Sequence, residues 1–357
     1  MPLRILHVDS GRHWRGTERQ AFLLAQGQRE AGHEPLVVAR PASPLLARAR
    51  AAGLAAAAAR LRGAWDLASA RRLRRLVRWW RPDVVHAHDE RAAALAHLAL
   101  AGRREILLVV SRAVPPAPRL WRRYREARVS RVIVPSSDAA HEMVTGGIPE
   151  PRIAVVPPTA LPAGTGPPRD WRTECRWPAD ALVCGVVGSL AAHGDARELA
   201  AIVRQLPPAL RERVGLVLIG GRGTGSTTIG RAAAYRAGYI DDLPGALAGL
   251  DVLWYAAAPG SGSGTALVTA MATGIPTVAF RAGVAADLVE HERSGLLVAP
   301  GDARAFAAAA TRVLEDPALR RAMSAAAVER AAALAPTARA TAEVYLAALG
   351  REEPVGT

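Results

Sequence analysis

The sequence predicts an open, doubly wound α/β protein of two Rossmann-like domains, and three observations carry the prediction. Short apolar runs alternate with helical patterns along the chain, the signal of parallel sheets covered by helices. A Pro/Gly-rich stretch, Pro157 to Pro168, interrupts this alternation, which then restarts. The length of 357 residues exceeds one ordinary core.

Leu3 to Val8 (LRILHV) is a near-continuous apolar run of the kind buried on both faces. A loop and a helix from about Thr17 to Ala31 follow, closed by Gly32; then a strand, Leu36 to Ala39, a helix, Pro41 to Ala52, and a stop at Gly53. Further strands are predicted at Val84 to His86, Ile106 to Val110 and Val132 to Val134. After the proline-rich stretch come Ala181 to Val187, Val214 to Ile219, Val252 to Ala256 and Thr277 to Phe280. The predicted division is an N-terminal domain, 1–158, a linker, 159–180, a second domain, 181–336, and a terminal helix with tail, 337–357, with a cleft at the carboxyl ends of the strands.

Forty-six basic and thirty-two acidic residues give a net charge of +14, and every Lys/Arg position is arginine. The absence of lysine and asparagine, with abundant Ala, Gly, Pro and Arg, is a mark of GC-rich codons, so part of the charge is compositional. A basic surface attracts acidic partners, but no nucleic-acid motif is present. Two cysteines, Cys175 and Cys184, make neither a metal-ligand spacing nor a disulfide framework, consistent with a reducing cytoplasm. No signal-peptide core or membrane-length apolar run is present, which predicts a cytoplasmic protein, at most peripheral on the inner face of the membrane.

The stretch Asp251 to Phe280 reads strand, Pro/Gly/Ser loop, helix, Gly-Ile-Pro stop, strand. A glycine loop opening a helix gathers free N–H groups and the positive end of the helix dipole, which suits a diphosphate. Within it, SGSGTALVTAMATGIPTVA resembles the donor-site signature of family 4 retaining glycosyltransferases of GT-B fold, in which E-x7-E or E-x7-D precedes A-M-A-x-G-x-P-V-V-A. Ser261 and Thr269 stand where that family has its two acidic residues. The resemblance makes Ser261, Gly262, Gly264, Thr265 and Thr269 candidate donor-binding residues.

It extends along the chain from Leu3 to Leu349. GRHWRGTERQ resembles the family's acceptor-side W-R-G-G-E-R-Q and implies acceptor contacts from Gly16, Glu18 and Arg19. DVVHAHD matches a family strand end and makes His86 and His88 candidate catalytic residues; Ala113 replaces a histidine of many relatives, leaving the adjacent Arg112 as a candidate for phosphate or carboxylate. VVGSLAAHGD resembles G-x-L-x-x-x-K-G and points to Gly188, Ser189 and His193 at the donor, with Gly194 in the lysine position. In VGLVLIGGRGTG, Arg222 is the candidate cation, and Ser226 takes the third-glycine position, so a nicotinamide-dinucleotide fingerprint is not met. The following segment, GRAAAYRAGYIDDLP, is expected to hold a shortened form of the family's helix.

The resemblance implies transfer of a sugar from a nucleotide-sugar to a saccharide or lipid-linked acceptor with retention, in bacterial surface-polysaccharide assembly, without metal or cofactor. The alternative class, motivated by the replaced carboxylates, lysine and histidine, is a homologue that binds a partner without catalysis. Arg71 to Arg81 (RRLRRLVRWWR) is an amphipathic helix whose arginines and tryptophans suit an anionic membrane surface, against the plainer reading of a solvated helix.

Overall fold

The structure, a computed structural model, describes residues 2–64, 66–113, 128–164, 166–187, 196–221, 223–256, 262–334 and 336–351. The chain divides into two compact units, Met1–Pro158 with Ala335–Thr357, and Thr159–Leu334.

The first unit begins β1 (Arg4–Val8), α1 (Gly16–Glu30), β2 (Glu34–Ala39), α2 (Pro44–Ala51), β3 (Ala55–Ala58), α3 (Leu67–Trp80), β4 (Val84–Ala87) and α4 (Glu90–Ala99). It continues with β5 (Leu107–Ser111), β6 (Arg131–Val134), α5 (Ser137–Thr145) and β7 (Ile153–Val155). The strands form one parallel sheet in the order β3-β2-β1-β4-β5-β6-β7, so the direction of winding reverses between β1 and β4. Branched aliphatic residues fill both faces: Leu6, Val8, Leu36, Val38, Val85 and Leu108 on one, Leu3, Ile5, Val84, Val109 and Ile133 on the other. α2 starts at Pro44 rather than Pro41 because Ser43 Oγ caps it, accepting from Leu46 N at 3.3 Å. Ala55–Ala58, with alanine's helical preference, is nevertheless a strand, held in register by β2.

The second unit contains α6 (Trp171–Cys175), β8 (Leu182–Val187), α7 (Ala196–Gln205), α8 (Pro208–Arg213), β9 (Val214–Ile219), β10 (Gly225–Ile229), β11 (Ala232–Gly238) and α9 (Leu243–Ala248). Then follow β12 (Val252–Tyr255), α10 (Thr265–Ala272), β13 (Thr277–Phe280), α11 (Val284–Leu288), β14 (Gly295–Val298), α12 (Ala303–Glu315) and α13 (Pro317–Ala333). Its sheet runs β10-β11-β9-β8-β12-β13-β14, parallel except for the edge strand β10. Here the sequence expectation is corrected: the segment expected to be a shortened helix is strand β11, paired with β9 and folded back on β10. A two-residue turn with both φ values positive, Gly230 at 57° and Arg231 at 79°, makes that hairpin.

Residues 159–180, read as a linker, belong to the second unit, because Trp171 is 1% exposed in its core and donates from Nε1 to Ala246 O at 2.8 Å. The last helix, α14 (Thr337–Leu349), belongs to the first unit, where Tyr345 and Leu346 pack beside Leu3 and Val84.

Candidate functional site

The winding reversal of the first sheet brings together residues from five elements. His7 in β1 stands beside His86 in β4, and His88 follows at the strand's exit. All three are buried. His88 Nε2 lies 3.0 Å from His7 Nδ1, and His7 Nε2 lies 2.7 Å from Gln28 Oε1. Gln28 Nε2 donates to the Tyr345 hydroxyl at 3.5 Å, which lies 2.6 Å from His86 Nδ1; His86 Nε2 lies 2.7 Å from Ser111 Oγ.

One assignment of tautomers satisfies the whole chain: His88 donates to His7, His7 to Gln28, Gln28 to Tyr345, Tyr345 to His86 and His86 to Ser111. Every ring in it is neutral. Burial is the main cause, lowering the His7 pKa to about 4 against the opposing bond to Gln28, and holding His86 and His88 well below the usual histidine range with help from neighbouring imidazoles. His86, expected as a catalytic residue, has both nitrogens engaged inside the fold and no exposed surface in this structure. His88, at the end of the chain of bonds, reaches the strand exit. Among the described residues, His7, His86 and His88 are the group of potential metal ligands, with atoms within 4.8 Å of one another, and hydrogen bonds account for their clustering.

Just beyond lies a carboxylate group. Asp89 accepts from Ser10 N at 2.5 Å and Ser10 Oγ at 2.7 Å, tying the exit of β1 to the cap of α4. Asp9 accepts from Gly11 N at 2.7 Å, and Glu18 from Arg15 N at 3.1 Å. A side chain at Gly11 would collide with the carboxylates of Glu18 and Asp9, so glycine there makes room for both. Burial, then the nearby Asp89 and Glu18, raise the Asp9 pKa well above the usual range; burial also raises that of Glu18. Glu18 and Arg19 of the expected acceptor set are thus buried at the start of α1, with Arg19 set 5.7 Å from the Trp14 ring, and Gly16 is the helix's first residue. Arg112 lies 3.7 Å from Glu90 and is mostly covered. Sequence reasoning missed His7, Gln28, Tyr345 and Asp9; its one available signal was a histidine inside the apolar run of β1.

In the second unit, Gly264 caps α10 in the left-handed region (φ 71°) and supplies no side-chain cap. The helix's first amides therefore have no cap oxygen from their own N-cap residue, the arrangement that receives anions. Ser263 Oγ and Thr265 Oγ1 lie 2.7 Å apart beside it, and Gly262 precedes them with φ 77°. Thr269 departs from its expected donor role: it is fully buried, donates to Thr265 O at 2.6 Å and accepts from Leu161 N at 3.1 Å, stapling the 159–164 segment to α10. Gly188, Ser189, His193, Arg222 and Ser261 lie outside the described residues.

α3 carries Arg71, Arg72, Arg75 and Arg78 on its exposed side with Trp79, which is 70% exposed, while Leu73 and Val77 are buried. No helix among the described residues is long and apolar enough to cross a membrane.

Two Rossmann-like units in tandem, each with a seven-stranded, mostly parallel sheet, define the class, a GT-B protein. Residues 14–159 match the model of Glycosyltransferase Family 4 and residues 181–316 that of Glycosyl transferases group 1, together most of the chain. The chain belongs to these glycosyltransferases, with a family 4 domain followed by a group 1 domain. The structure of Anabaena Alr3699/HepE in complex with UDP-glucose is similar, at TM-score 0.77 and 20% identity over 96% of this chain and 98% of that one. A glycosyltransferase from Rickettsia africae ESF-5 matches at TM-score 0.78 and 15% identity, over 98% and 100% of the two chains. The lipopolysaccharide outer core galactosyltransferase WaaB matches at TM-score 0.68 and 14% identity, over 97% and 99%. At such identities the likeness establishes the fold. No curated protein matches the chain by sequence.

Proposed function

We propose that the protein transfers a sugar from a nucleotide-sugar to a saccharide or lipid-linked acceptor, with retention, in the assembly of a bacterial surface polysaccharide. The observation that carries the reading is Gly264 at the head of α10, a left-handed N-cap without a side chain, beside the β12 exit where the second sheet reverses its winding. The donor diphosphate accepts from the first amides of α10 and from Ser263 and Thr265, whose dipoles stabilise the charge that grows as the sugar departs. Gly188, Ser189, His193, Ser261 and Gly262 complete the donor side, with Arg222 as the cation in place of the family's lysine, and no metal is called for. Gly16, Glu18, Arg19, Arg112 and His88 serve the acceptor. In support, HepE of Anabaena has been solved with UDP and with UDP-glucose, and WaaB is named as a lipopolysaccharide outer core galactosyltransferase. The exposed Arg/Trp face of α3 suits peripheral binding to an anionic membrane.

The burial of Thr269, with its hydroxyl already engaged, favours the second reading, a homologue that binds a nucleotide-sugar or partner without turnover. Slow hydrolysis of the donor, followed by proton NMR before the anomers equilibrate, separates the two. An α-linked donor releasing α-sugar first supports retention; β-sugar first refutes it, and donor that binds but stays intact with every acceptor supplied supports the second reading.

A further inference from the structure

Arginine follows each of four adjacent strands at the carboxyl edge of the first sheet. Arg62 follows β3, Arg40 β2, Arg12 β1 and Arg91 β4, and those strands are neighbours in that order. Hydrogen bonds draw the exits together: Arg40 Nη1 donates to Leu61 O at 3.2 Å, Ala59 N to Ala39 O at 2.9 Å, and Ser10 to Asp89, which caps the helix bearing Arg91. Arg40 is half-buried, while Arg12, Arg62 and Arg91 are exposed. Their charges act on Arg40: burial first, then Arg12, Arg91 and Arg62, lower its pKa, and Asp89 opposes them. Asp66 accepts from Arg62 N at 3.2 Å and faces the Arg62 charge at one end of the row, while Asp9 and Glu18 are pushed towards their neutral forms by burial, so the four arginines outnumber Asp89 and Asp66 beside them. Four arginines grouped at the edge where open α/β sheets bind ligands suit a compact multivalent oxyanion that accepts several forked hydrogen bonds.

We propose that Arg12, Arg40, Arg62 and Arg91 form a binding site for a phosphate or diphosphate group. Its assignment to the acceptor rests on the transferase reading, and makes that acceptor a phosphorylated molecule; the site itself does not depend on it.

The test is calorimetric titration of the full chain with inorganic pyrophosphate, which two double variants assign to this site rather than to the donor site. The wild type should bind pyrophosphate, and R40Q/R62Q should bind it about a hundredfold more weakly, about tenfold for each guanidinium lost. R75Q/R78Q, which removes the same charge from the exposed face of α3, should bind like the wild type. Failure of the wild type to bind, or equal weakening in both variants, overturns the proposal. All changed residues are exposed or half-buried, and circular dichroism checks that each variant is folded. A separate UDP titration reports on the donor reading, so pyrophosphate binding without UDP binding retains the site and removes only its link to transfer. Sedimentation with vesicles bearing a polyprenyl phosphate, against phosphatidylglycerol vesicles of equal charge, distinguishes a lipid-carried phosphate from a soluble one: R40Q/R62Q-sensitive preference for the former identifies the lipid, and no preference leaves the soluble molecule.

Discussion

Replacing Tyr345 with phenylalanine removes one hydroxyl from the last helix and interrupts the chain of hydrogen bonds at its middle. The hydroxyl lies 2.6 Å from His86 Nδ1 and receives a longer contact, 3.5 Å, from Gln28 Nε2. The long contact contributes little, so the cost is set by the ring nitrogen. His86 has no exposed surface, and no water can replace the lost partner. If the ring keeps its tautomer, Nδ1 is an unpaired acceptor; if it exchanges tautomers with Ser111 as donor, Nδ1–H is an unpaired donor facing a phenyl ring. An unsatisfied buried group costs about 1–3 kcal/mol, and with the small gain from burying a phenyl in place of a phenol the net loss is about 2 kcal/mol. Hydrogen exchange with mass spectrometry reads this locally: amides of β1, β4 and α14 should exchange about thirtyfold faster when opening is at equilibrium, since 1.4 kcal/mol is a factor of ten. Strands β8 and β12 of the second unit should be unchanged. Less than a twofold change in β1 and β4 would refute the argument that this network is closed and dry.

Acid should loosen the same region. The folded-state pKa of His7 lies near 4, below its ordinary 6.5, so the unfolded chain takes the proton first and stability present above pH 6.5 is lost as the pH falls towards 4. At pH 5, His7 alone costs about 2 kcal/mol, His86 and His88 act in the same direction, and the raised Asp9 and Glu18 oppose them; exchange protection of β1 that stays flat between pH 7 and 5 would contradict this. Gly264→Ala forces an alanine to φ 71° and sets its Cβ 2.8 Å from Val284, so it should destabilise the second unit by about 1–2 kcal/mol and weaken nucleotide binding at least tenfold, measured by melting and titration. Trp79→Ala with Arg75→Gln should reduce sedimentation with anionic vesicles severalfold without moving the melting temperature, because both side chains are exposed; unchanged sedimentation would remove α3 from membrane binding.

The sheets were legible because buried parallel strands are continuous apolar runs, and β1, β8, β9, β12 and β13 fall within a residue or two of their predicted places. Alanine concealed the rest. Ala55–Ala58 and the AAAY of β11 carry alanine's helical preference, and their strand partners, β2 for the first and β9 and β10 for the second, make them strands. Trp171 sits three residues beyond a proline pair, so composition marked the segment as a linker while one buried indole fixed it to the second core. At the site, the HAH pattern announced His86 and His88, but Gln28 and Tyr345 come from helices 21 and 317 positions away from their partners His7 and Gln28, and nothing local marks them. The four arginines were present in the sequence as single residues after strands; their meaning required the strand order.

The central claim is that a nucleotide-sugar site survives at the head of α10 although the family's carboxylates are replaced. Calorimetric titration of the folded protein with UDP, GDP, ADP and their sugars tests it most directly. Micromolar binding of one nucleotide, lost in Gly264→Ala, is the predicted result. No binding of any of them by a protein shown to be folded would contradict the account.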